Sequence, residues 1–190
     1  MLKDRLEREI DGIASRLLER QKDFDAVLEL SRKVVREAGQ AITLLHSGRE
    51  AEAKRAIGAL NRQVAALKNR DSEFRHVSLQ AYQEYAEAVL FYNMTEKEAI
   101  LGADDVGVGE EAYLLGLMDV VGELRREMLE RLRDGRKEEA ERRYEMMRRI
   151  YDTTRGLKFA ESVLPGFRRK QDVARMQLES AGSELLHASR

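Results

Sequence analysis

The chain reads as an all-α protein, an elongated bundle of about six or seven helices, and three observations predict this. Apolar residues recur at spacings of three and four over long stretches, 36% of residues are charged against 6% aromatic, and 190 residues contain one Pro and no Trp. Long amphipathic helices with solvated outer faces have this composition. The length suits one domain over residues 1–190 with a sizeable core.

Taken in order, Leu6, Ile10, Ile13, Leu17, Phe24, Val27, Leu30, Val34, Val35, Ile42 and Leu45 mark one very long helix, or two in line, from Leu2 to about His46. Ser47-Gly48 stops it, because Gly after a periodic run is the usual left-handed terminus. A second helix is expected from about Glu50 to Lys68, with Ala53, Ile57, Leu60, Val64 and Leu67 inward. Asp71 or Ser72 then offers an N-cap for a third, about 72–98, whose stripe is Val77, Ala81, Ala88 and Phe91. Residues 102–109 are Gly-rich but lack the Lys-Ser/Thr of a phosphate loop and follow no strand, so they read as a connection. A fourth helix should run from Glu110 to Asp134-Gly135 and a fifth from about Arg136 to Thr154, with Ala140, Tyr144, Met147 and Ile150 or Tyr151 inward. After a break at Val163-Leu164-Pro165-Gly166-Phe167, a last helix is expected from about Arg168 to Leu186. Gly48-Arg49-Glu50 echoes Gly135-Arg136-Lys137, which reads as shared helix-hairpin punctuation rather than a repeat array.

Composition also narrows the chemistry. With no Cys there are no disulfides, thiolate zinc sites or Cys nucleophiles. The 34 Lys and Arg balance the 35 Asp and Glu, so any nucleic-acid site is a local patch rather than bulk charge. No apolar run reaches the roughly 18 to 20 residues of a membrane span, and the expectation is a soluble protein without a membrane partner. There is no Gly-x-Ser-x-Gly, no Ser-His-Asp logic and no dinucleotide fingerprint.

Acids in apolar stripes are the unusual feature. Leu115, Gly116, Asp119, Gly122 and Glu123 fall on one side of their helix, and Glu84 falls between Ala81 and Ala88 with Glu87 one turn on. Burying an ionised carboxylate without a partner costs several kcal/mol, so such acids need a cation, from a metal or an Arg. Pairs at this spacing recur by chance in a chain this acidic; it is the apolar company of Glu84 and Asp119 that distinguishes these. If their helices pack together, Glu84, Glu87, Asp119 and Glu123 converge as oxygen donors suited to Mg²⁺ or Mn²⁺. A rival pattern exists in Glu73-x-x-His76 and Glu184-x-x-His187, the spacing of ferritin-like di-iron bundles, although both pairs lie at helix ends. His46 closes its helix, where a His ordinarily caps the last carbonyls. Most arginines have acids three or four positions away. Arg168-Arg169-Lys170 are cations at a helix N-terminus, against the macrodipole, and they suggest an anionic partner such as phosphate.

Three segments together resemble the translin family, and its Trax (translin-associated factor X) branch with the short prokaryotic Trax-like proteins more than translin itself. They are Leu30-Ser31-Arg32-Lys33-Val34-Val35-Arg36-Glu37 running to Ile42-Thr43-Leu44-Leu45-His46, then Phe74-Arg75-His76 leading to Gln83-Glu84-Tyr85-Ala86-Glu87-Ala88, then Tyr113-Leu114-Leu115-Gly116 with Asp119-x-x-Gly122-Glu123-Leu124. The likeness spans about residues 21–155, and Leu164-Pro165-Gly166 to Arg175 is similar to prokaryotic members only. It implies an all-α subunit assembling into a hollow homo-octamer that handles single-stranded RNA, with single-stranded DNA as a second ligand, on its inner surface. In the Trax branch the positions matching Glu84, Glu87, Asp119 and Glu123 form a metal-dependent endoribonuclease site. Translin lacks the first two acids and binds nucleic acid, whereas this chain keeps all four. The expectations are therefore an Mg²⁺- or Mn²⁺-dependent endoribonuclease, with a translin-like binding protein and a ferritin-like iron protein as alternatives. Arg75, His76, Arg168, Arg169 and Lys170 are the expected RNA contacts. No basic N-terminal extension precedes the first helix, which suggests a prokaryotic, cytoplasmic protein.

Overall fold

A computed structural model describes residues 2–188. Among them are seven helices and no strand: α1 (Leu2–His46), α2 (Glu50–Lys68), α3 (Arg75–Glu96), the single turn α4 (Ala103–Val106), α5 (Glu110–Arg133), α6 (Lys137–Thr154) and α7 (Phe167–His187). The all-α expectation is met. α3 and α5 form the spine. α1 lies against α2 and α3, α3 packs on α5, and α5 carries α6 and α7 on its remaining sides.

The apolar stripes place these contacts. All five residues expected inward on α2 are its buried set: Ala53, Ile57, Leu60, Val64 and Leu67. α3 is buried almost without interruption from Tyr85 to Met94. It is sandwiched between α1 and α5, so an all-round buried stretch replaces a one-sided stripe. Phe91, Leu90, Leu124, Met128 and Met147 are among the largest fully buried side chains, and they belong to the contiguous core that runs through the bundle.

Both hairpin turns close in the same way. Gly48 and Gly135 adopt left-handed φ of 67° and 75°. The next residue's N–H then reaches six positions inclusive back: Arg49 donates to the Leu44 carbonyl at 2.9 Å and Arg136 to the Arg131 carbonyl at 2.8 Å. Arg49 and Arg136 then pair with Glu52 and Glu139 three residues on. The Gly-Arg echo in the sequence is this reused turn.

Three expectations change. α1 is continuous, about 68 Å long at 1.5 Å per residue, but its core contact begins near Phe24 and Val27. Leu6, Ile10, Ile13 and Leu17, which the periodicity placed on one stripe, are exposed because nothing among the described residues covers them, and Leu18 beside them is exposed as well. α3 begins at Arg75 rather than at residue 72, and neither Asp71 nor Ser72 caps it. Asp71 is buried instead and accepts hydrogen bonds from the hydroxyls of Ser78 and, at 2.7 Å, Tyr82. The Gly-rich connection contains α4, closed by Gly107. No helix among the described residues is long and apolar enough to cross a membrane.

Candidate metal and nucleic-acid site

The site begins with a missing side chain. A Cβ on Gly116 would lie 2.7 Å from the Gln83 carbonyl oxygen and 3.0 Å from both Ala86 Cβ and the Glu87 nitrogen, so α3 and α5 touch backbone to backbone here. Glu84 and Glu87 lie on α3 at this crossing, and Asp119 and Glu123 follow Gly116 by one and two turns of α5. The close approach brings the two acidic pairs into one electrostatic neighbourhood. Gly122, on the same face, makes room for the side chain of Gln177 from α7.

Each acid has a different environment. Glu87 is 8% exposed, and no hydrogen bond or ion pair among the described residues reaches its carboxylate. Burial first, then the charges of Asp119, Glu84 and Glu123, push its pKa up to about 9, with Lys170 opposing. Glu84 is raised as well, by burial and then by Asp119, while Lys170 and a hydrogen bond to Gln80 pull the other way. Asp119 accepts from Gln83 Nε2 at 2.7 Å and from Lys170 Nζ, which reaches both carboxylate oxygens, at 2.6 Å to Oδ2. Glu123 Oε2 lies 2.5 Å from Nε2 of His46.

The four acids thus share one neighbourhood, in which Asp119 and Glu123 add to the upward shift of Glu84 and Glu87. They do not close into a ligand shell: among the described residues, no three His, Asp or Glu side chains gather in a metal-holding arrangement. Lys170 brings a protein cation to the face. The donor set is all oxygen, and a buried carboxyl facing three other acids keeps its proton for want of a nearby cation, so these residues fit a hard divalent cation that would take the proton's place.

Three residues play parts that local spacing did not show. His46, expected to cap the last turn of α1, turns its ring into the bundle, where the side chain is 3% exposed, and meets Glu123 with Phe91 against its ring. Gln83 orients Asp119. Lys170, grouped with Arg168 and Arg169 as an RNA contact, points to Asp119, since successive residues on a helix diverge by about 100°. Arg168 and Arg169 are exposed at the start of α7, and Arg169 borders a cleft of about 190 Å³ next to Asp119 and Lys170. Arg75 and His76 are exposed at the start of α3, about 13 Å along the helix from Glu84.

The ferritin-like pairs do not meet. Glu73 pairs with Arg20 at 3.4 Å and Glu184 with Arg125 at 2.5 Å, while His76 and His187 lie exposed.

Residues 22–181, which include every acid of this face, match the Translin family. The chain belongs to the translin family. Among curated proteins, this translin-family chain is 28% identical over 182 residues to the uncharacterized protein MJ0175 of Methanocaldococcus jannaschii, covering 94% of this chain and 82% of that one. Among solved structures it is similar to AfC3PO, at 29% identity with a TM-score of 0.87 over 95% of this chain and 97% of that one. The structure of AfC3PO in complex with duplex RNA superposes with a TM-score of 0.86, again at 29% identity, over 95% of this chain and 96% of that one. Apo-NeC3PO, 18% identical over 94% and 96% of the two chains with a TM-score of 0.87, shares the fold.

Proposed function

We propose that this translin-family protein is a Trax-like endoribonuclease that uses Mg²⁺ or Mn²⁺ to hydrolyse single-stranded RNA inside a homo-octameric shell. The observation that carries the reading is the acidic face at the Gly116 crossing, where Glu84, Glu87, Asp119 and Glu123 come together with Glu87 buried and unpartnered among the described residues. These four residues would hold the cation, which when bound lowers the pKa of a water and neutralises charge developing on the scissile phosphate.

The protein's own groups supply the rest. Gln83 holds the Asp119 carboxylate in one orientation, and the buried His46 side chain does the same for Glu123. Lys170 donates to Asp119, and its ammonium is within one side-chain length of the rest of the same face, where it would be available to a phosphate oxygen. Arg169 borders the cleft beside Asp119 and can take a neighbouring phosphate. An RNA ligand is supported by the likeness to AfC3PO, which is described in complex with duplex RNA. The exposed apolar row Leu6, Ile10, Ile13 and Leu17 supports assembly, since it needs a neighbouring chain to cover it.

A second reading, binding without cleavage in the manner of translin, is favoured by one observation: Lys170 already satisfies Asp119. End-labelled single-stranded and duplex RNA incubated with Mg²⁺, Mn²⁺ or EDTA separates the two. The nuclease reading expects metal-dependent cleavage of the single strand that Asp119→Asn abolishes without loss of helicity or assembly. Full activity in that variant contradicts the site, and tight binding without cleavage under either metal establishes the second reading.

A further inference from the structure

A second cleft of about 310 Å³ opens on the other side of the first turn of α7, between the end of α6 and the connection that follows it. Its floor is Phe167, 2% exposed, and its wall is Phe159, whose ring centroid lies 5.7 Å from that of Phe167 at an interplanar angle of 56°. Phe159 is nevertheless 45% exposed, so one aromatic surface is anchored from behind and open in front. Arg155, Lys158 and Arg168 line the same cleft, against one acid, Asp172. Arg155 has a loose exposed contact with Asp152 at 3.6 Å, while Lys158 and Arg168 have no ion pair among the described residues. In a chain with net charge −1, this cleft gathers three cations against one acid beside an open aromatic ring.

The connection that presents Phe159 is built rather than loose. Gln171 Nε2 on α7 donates to the carbonyls of Thr154 at 2.7 Å and Leu157 at 3.2 Å, and the Gly166 N–H donates to Glu161 Oε1 at 2.6 Å. A flat apolar ring held in place, with cations around it, is the combination that takes an unpaired nucleotide: the base stacks and the phosphate is paired. An aliphatic peptide would not need the cations, and a free anion would not need the ring.

We infer that this cleft is a stacking subsite for an unpaired nucleotide of an RNA strand, with the base on Phe159 and its phosphate among Arg155, Lys158 and Arg168. This inference rests on the RNA reading above and deepens it. A single turn of α7 separates Arg168 in this cleft from Lys170 and Asp119 on the other, so a strand crossing that turn presents one nucleotide for stacking and a nearby phosphate to the acids. The subsite selects unpaired over paired RNA, because a base in a duplex has no free face to give.

Binding in EDTA, where cleavage is silent, tests it. Fluorescence anisotropy of a labelled single-stranded oligouridylate is measured on the wild-type chain, Phe159→Ala, Phe159→Trp and Arg168→Ala, and repeated with a strand carrying abasic positions. Phe159→Ala is expected to weaken binding by about tenfold, Phe159→Trp to restore it, and the Phe159→Ala penalty to vanish on the abasic strand. Arg168→Ala should reduce the salt dependence by about 0.7 in log–log slope, one phosphate contact on a single strand. If the wild type binds and these variants bind equally well, or if Phe159→Ala loses as much on the abasic strand, the subsite is wrong and the RNA reading stands. If the wild type binds no RNA, the RNA reading itself fails and takes the subsite with it. Both Phe159 and Arg168 are exposed, so each variant is expected to fold, which circular dichroism would check.

Discussion

Glu127 and Glu87 are both carboxylates buried in this bundle, 5% and 8% exposed, yet they are treated in opposite ways. Glu127, on α5, receives Arg131 at 2.6 Å and Arg143 at 3.1 Å, and Arg143 also donates to the Thr95 carbonyl. Glu87 has no such partner among the described residues and faces three other acids, while the nearby Lys170 is paired with Asp119. The first arrangement brings two guanidiniums onto Glu127 Oε1, leaves Oε2 without a hydrogen-bond partner among the described residues, and links α3, α5 and α6. The second is short of positive charge, and that shortage at the Gly116 crossing is what a divalent cation would fill.

The contrast can be broken at either end. The largest effect on stability is expected from Arg143→Ala, which strips a guanidinium from buried Glu127 and should cost about 3 kcal/mol, read as a lower urea midpoint without loss of divalent-cation binding. Next comes Gly116→Ala. Its Cβ would meet backbone rather than a flexible side chain, so α3 and α5 must separate, at about 1–3 kcal/mol. Unlike Arg143→Ala, it should also abolish metal-dependent cleavage. Unchanged cleavage in Gly116→Ala would show that the crossing does not set the acids.

Glu87→Gln acts in the other direction. The Glu87 carboxyl is raised from 4.5 to about 9 in the folded chain, so the folded state holds its proton more tightly than the unfolded state. Its stability contribution is complete below about pH 4.5 and is lost as pH rises through about 9. In metal-free buffer Glu87→Gln should therefore raise the melting temperature at pH 8, by the equivalent of about 1 kcal/mol, and flatten the decline between pH 5 and 9. A parallel pH profile in the variant would contradict this environment. The smallest effect is expected for Lys170→Met: removing the resident ammonium should tighten Mn²⁺ binding severalfold, and weaker binding would mean that Lys170 assists the metal rather than competing with it.

Most of the fold was legible because helix burial is periodic. Ala53, Ile57, Leu60, Val64 and Leu67 needed only a 3.6-residue repeat to be placed, and the Gly48 and Gly135 turns only a φ that Gly adopts freely. The acid face was legible for the same reason, since Glu84 and Asp119 interrupt apolar stripes. The resemblance to the translin family added an expected role for these acids, which spacing alone left open. What escaped depends on contacts distant in sequence. Asp71 is a good N-cap by local chemistry but finds Ser78 and Tyr82 once α3 is packed. His46 finds Glu123 across 77 positions, and Lys170 finds Asp119 across 51, which no local repeat encodes. The exposed half of α1 shows the converse limit, because periodicity reports a face that wants a partner and not where that partner is.

The proposed role of the acid face is to bind a divalent cation. Isothermal titration of the metal-free protein with Mn²⁺, in the absence of RNA and beside an Asp119→Asn control, tests this most directly. Saturable binding that is lost in Asp119→Asn is the predicted result. Absence of binding, or binding unchanged in the variant, would mean that Glu84, Glu87, Asp119 and Glu123 are held by the fold for another reason.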